Sequence, residues 1–60
     1  MLNNDVLCRL ICYVPQESLK EEAWKHLIKQ NPTNDDLLYI IGEATSIKWR
    51  AKTQKALDRA

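Results

Sequence analysis

Apolar positions recur at the helical period along the whole chain, and Val, Ile and Thr nowhere alternate with polar residues as a half-buried strand requires. Between Val6 and Val14 only Arg9 is charged. A first helix over this stretch carries apolar groups around almost its whole circumference and expects cover on more than one side. It starts after an Asn3-Asn4 cap, with Asp5 at the positive end of the macrodipole, and Pro15 stops it. A second helix is predicted from near Ser18, with Ser18 and Glu21 spaced as a capping box. Its apolar stripe is Leu19, Ala23 and Leu27, flanked by Trp24 and Ile28, and its polar face pairs Glu21 with Lys25. Pro32 ends it. Thr33 caps a third helix whose first turn carries Asp35 and Asp36; Leu37, Ile40, Ile41 and Ala44 line one face, with Leu38 beside them. Gly42 weakens this helix by about 1 kcal/mol relative to alanine, unless a neighbouring helix needs the space. Thr45-Ser46 ends the third helix and caps a fourth, from Ile47 onward, whose apolar content is thin: Ile47, Trp49, Ala51, Ala56, Leu57 and Ala60.

Short connections make neighbouring helices antiparallel. The expected fold is all-α, four short helices forming two antiparallel helical hairpins side by side, in a single domain over residues 1–60. The two hairpins read as copies. Asn4-Asp5-Val6-Leu7-Cys8-Arg9-Leu10-Ile11 returns thirty positions later as Asn34-Asp35-Asp36-Leu37-Leu38-Tyr39-Ile40-Ile41, identical at four of eight positions. Repeat one spans about 4–31 and repeat two about 33–60. The blocks Leu19-Lys20-Glu21-Glu22-Ala23-Trp24, Leu27-Ile28 and Gln30-Asn31-Pro32-Thr33-Asn34-Asp35-Asp36-Leu37, followed by Tyr39-Ile40-Ile41, resemble a bacterial tandem helical-hairpin repeat of the HEAT-like (alpha-solenoid) class. The resemblance covers half to two-thirds of the chain. It implies a stacked array that binds other proteins. The last helix departs from the pattern, with Trp49-Arg50-Ala51-Lys52 in place of Glu-Glu-Ala-Trp. Terminal repeats of such arrays are commonly atypical and polar outside, so this helix reads as a C-terminal cap of a longer array.

Size and charge narrow the function. A chain of 60 residues buries only about 60% of the surface its unfolded form exposes, which leaves no room for a deep catalytic cleft. Nine basic and eight acidic side chains give a net charge of +1, so any charge-driven function must be local. Cys8 and Cys12, four apart on one helix, are poorly placed for a disulfide and read as free thiols in a reducing cytoplasm. The apolar stretch 6–14 lacks the basic leader of a signal peptide and falls far short of the roughly 20 residues that span a bilayer. The expected location is cytoplasmic, without a membrane partner.

Candidate chemistry is sparse. Cys8, Cys12 and His26 are the only soft metal ligands, offering at best Cys-x3-Cys and one remote histidine against the three or four ligands zinc takes. They read as two small core residues and a half-exposed surface residue. Asp5, Asp35 and Asp36 each fall at a predicted helix start and serve the dipole. No nucleophile, paired-acid or phosphate-loop spacing occurs, so no enzyme, cofactor, metal or small-molecule substrate is expected. Trp24 reads as an anchor between helices. Two surfaces remain. The first helix presents an outer face, made of Cys8, Cys12 and Tyr13 or alternatively of Val6 and Leu10, to another chain, whether a protein partner or a second copy, or to a missing upstream repeat. In the last helix Lys48, Lys52, Lys55 and Arg59 share one face beside Trp49, the combination of cations and aromatic that binds nucleic acid. The expected function is a non-catalytic protein-interaction or assembly module; the alternative is a small nucleic-acid-binding regulator.

Overall fold

Asn3 and Thr33 each turn the chain into a helix. The Asn3 side-chain oxygen accepts from the Val6 N–H at 2.9 Å. Thr33 Oγ1 accepts from the Asp36 N–H at 3.2 Å, while the Asp36 carboxylate accepts from the Thr33 N–H at 3.0 Å, completing a capping box. The computed structural model describes residues 3–59 and holds four helices among them: α1 (Asn4–Tyr13), α2 (Glu17–Lys29), α3 (Asn34–Glu43) and α4 (Ile47–Arg59). Every boundary of the second pair lies thirty residues after its counterpart in the first. The caps follow the same step, Asn3 to Thr33 at the start and Val14 to Ala44 at the end. Ala60, counted among the apolar positions of the last helix, lies outside the described residues.

Three local expectations are corrected. α2 begins at Glu17, one residue before Ser18; its N-cap is Gln16, which makes no side-chain cap bond. Glu21 is drawn away from both Ser18 and Lys25: it lies 3.8 Å from Lys48 of α4, and Lys25 pairs with Glu22 at 3.7 Å. α2 does end before Pro32, and between them Asn31 takes the left-handed conformation at φ 54°, a conformation asparagine tolerates better than most residues.

α1 packs on α2, α3 on α4, and α1 on α3. This places α1 and α3 in one layer and α2 and α4 in the other. The molecule measures 27 × 27 × 15 Å, and its thickness is that of two layers, because axes about 10 Å apart add about 2.3 Å of Cα radius on each side. The core runs through both hairpins: Leu7, Ile11, Ala23, Leu27, Ile40 and Trp49 are buried together. α4 contributes Trp49 and, one turn on, Thr53, whose hydroxyl donates to the Trp49 carbonyl at 2.7 Å and so enters the core without an unpaired group. Ile47 and Ala51, read as apolar contributors, are exposed. Arg50 closes the junction with α3 by donating from Nε to the Ala44 carbonyl at 2.7 Å. A Cβ on Gly42 would meet nothing within 4 Å, so no close helix approach explains this glycine. No helix among the described residues is long and apolar enough to cross a membrane.

Candidate functional site

The apolar circumference of α1 divides between the two helices packed on it. Leu7, Cys8, Ile11 and Cys12 all turn inward. The placing of Cys8 and Cys12 on an outer interface face is therefore corrected: both thiols lie in the core. The Cys8 thiol donates weakly to the Asp36 carbonyl at 3.6 Å. Burial first, then the nearby Asp36 charge, pushes its pKa up to about 12, and burial likewise raises Cys12. Such thiols stay protonated at neutral pH and are poor nucleophiles and poor metal ligands. Among the described residues no cluster of three or more His, Cys, Asp or Glu could hold a metal ion.

Of the other first-helix candidates, Val6 and Leu10 are half-buried, Leu10 packing against the core. Tyr13 is exposed, yet its hydroxyl is tied to α3, 3.2 Å from the Tyr39 hydroxyl and donating to Glu43 at 3.1 Å. Those two hydrogen bonds, Tyr39 foremost, raise its pKa. The outward face of α1 is thus Val6, Arg9 and Leu10, with Arg9 held by Asp5 at 3.0 Å.

The basic face of α4 comes apart. Trp49, expected to stack on a base, is wholly buried. Its indole N–H donates to both carboxylate oxygens of Glu17, at 3.2 and 3.3 Å, and its ring tilts against Trp24 at 5.9 Å between centroids. Lys48 is engaged by the same carboxylate at 3.2 Å. Glu17, which the sequence reading passed over, therefore joins the start of α2 to the start of α4. The indole first, then Lys48, holds its carboxyl below the usual value. Lys52 lies over the two tryptophans, its Nζ 4.9 Å from the Trp49 ring centroid and 5.7 Å from that of Trp24. Cation–π attraction of this kind occupies the ring face a base would need.

What remains of the basic face borders a groove. Lys52, Lys55 and Arg59 of α4 stand beside an open space of about 470 Å³ floored by Trp24, Ile28, Pro32 and Leu37. Its lining sets apolar side chains beside three cations.

The large apolar side chains left uncovered fall mostly elsewhere. Leu38 of α3 is 52% exposed, Leu19 of α2 51% and Ile47 at the start of α4 81%. The thirty-residue step gives each a counterpart inside the junction between hairpins or bordering it. Leu38 corresponds to Cys8, which is 2% exposed and touches α3. Leu19 corresponds to Trp49, at 0%. Ile47 corresponds to Glu17, the residue that holds Trp49. Leu38 and Ile47 lie on the outer side of the second hairpin, Leu19 on the outer side of the first. No family model, curated protein or solved structure matches the chain.

Proposed function

We propose that this chain is a non-catalytic protein-assembly module that self-associates through the apolar side chains at the ends of its hairpin pair. The observation that carries the reading is the exposure of Leu19, Leu38 and Ile47 in a chain of only 60 residues. Apolar surface of this kind gains by being covered, at about 25 cal/mol for each Å² removed from water. The thirty-residue spacing of all helix boundaries supports the finer reading of a HEAT-like repeat pair. Leu38 and Ile47 leave the second hairpin without the polar outer side that a capping repeat needs, so we read that end as open.

Nucleic acid is the weaker reading, because Trp49 and Lys48 are both committed to Glu17. Sedimentation of the chain over a concentration series, at low and at high salt, tests the choice. Apolar self-association raises the mean mass with concentration and persists at high salt. A chain that stays monomeric at high micromolar concentration, or associates only at low salt, overturns the reading.

A further inference from the structure

We infer that copies of this chain associate head to tail, the outer side of the second hairpin of one copy covering the outer side of the first hairpin of the next. The inference rests on the self-association proposed above and specifies its geometry.

The template is the junction the molecule already contains. Within one chain, α1 meets α3 through the side of α1 that carries Asn4 and Cys8, with Asn4 Nδ2 donating to the Asp36 carboxylate at 3.1 Å and the Cys8 thiol to the Asp36 carbonyl. α2 meets α4 through Glu17 and Trp24, which hold and pack Trp49. Thirty residues on, the same sides of α3 and α4 carry Asn34, Leu38 and Gly42, then Ile47 and Gln54. All are exposed. This is the donor side of the junction, repeated once and left without its partner.

The receiving side is repeated too. α3 receives α1 on Asp36, Tyr39 and Glu43, and α4 enters the junction with Trp49. Thirty residues earlier stand Val6, Arg9 and Tyr13 on α1 and Leu19 on α2. Tyr13 is turned onto α3, leaving Val6, Arg9 and Leu19 as the uncovered receiving side. Leu38 and Ile47 on one end and Val6 and Leu19 on the other thus stand where Cys8, Glu17, Asp36 and Trp49 stand in the internal junction. The proposed contact continues an interface the chain demonstrably forms.

Because the two surfaces differ, the contact is heterologous, and each added copy leaves a fresh end. The mean mass of the native chain is expected to climb beyond that of a dimer as concentration rises. Two variants separate this from a symmetric dimer. Leu38→Glu with Ile47→Glu blocks the second hairpin's end; Val6→Glu with Leu19→Glu blocks the first's, and Leu19→Glu alone serves if half-buried Val6 does not tolerate the charge. Circular dichroism checks that each keeps its helix.

Each variant alone should remain monomeric at concentrations where the native chain associates. An equimolar mixture should form a one-to-one heterodimer and stop there, since each partner keeps one open end. A mixture that stays monomeric, or a variant that still dimerises as well as the native chain, overturns the head-to-tail geometry while leaving self-association standing. A native chain that never associates overturns both.

Discussion

Glu17 is one side chain with three partners: the Trp49 indole, Lys48, and Lys20 at 3.9 Å. It shows how a charged surface residue becomes structural. The indole N–H enters the core with a large apolar ring and must find an acceptor there. Glu17 supplies one from the rim without being buried itself. Since the folded carboxyl has its pKa lowered from an ordinary 4.5, its contribution to stability is complete above that value and is lost as pH falls through the lower folded pKa. Thermal melts taken from about pH 7 down to about pH 3 should therefore lose temperature more steeply below pH 4.5 for the native chain than for Glu17→Gln. The amide can still accept from the indole but does not titrate. Equal acid slopes for the two proteins would show that the carboxylate is not held by these partners.

Gly42 poses the corresponding question for a helix. It sits inside α3 with open space where a Cβ would be, so it has the entropic cost of glycine without a packing reason for it. Gly42→Ala should raise stability by about 0.5–1 kcal/mol, read as a higher midpoint of urea unfolding at low protein concentration with an unchanged slope. A lower midpoint would mean that α3 needs the glycine's backbone freedom near its end. The helices themselves are legible in the sequence wherever a cap acts locally: Asn3 and Thr33 bond to groups within their own first turn and so place α1 and α3. The start of α2 is misjudged because Ser18 and Glu21 have capping-box spacing, whereas the helix already begins at Glu17 and Glu21 lies instead near Lys48, twenty-seven residues on. α4 was misread for a related reason. Thr53 looks polar until its hydroxyl is satisfied by the carbonyl one turn back, and Ile47 looks like core until the helix start places it at the edge. Local bonds can be read from spacing, whereas burial is decided by neighbours that spacing does not name.

For the whole molecule, the limit was that an apolar helix does not announce which side faces its own chain. The sequence marks α1 as needing cover on more than one side, and α2 and α3 supply it by burying Cys8 and Cys12, which belong to one of the two outward faces it offers and which it also reads as core residues. The uncovered surface then lies on α1 only in part and more on Leu19, Leu38 and Ile47. That redistribution has a thermodynamic consequence. Two hairpins form a small core, and small domains hold little stability in reserve. Any association of folded copies stabilises the folded state by mass action and makes the melting temperature depend on concentration. Between about 10 µM and about 1 mM the native chain should melt progressively higher, whereas Leu38→Glu with Ile47→Glu should melt at one temperature throughout. The substituted positions are exposed, so the variant's dilute melting temperature should stay close to that of the native chain, separating a lost neighbour from a damaged fold. A native melting temperature independent of concentration would place all the stability within the single chain, and the exposed leucines and Ile47 would then contribute nothing to holding it folded.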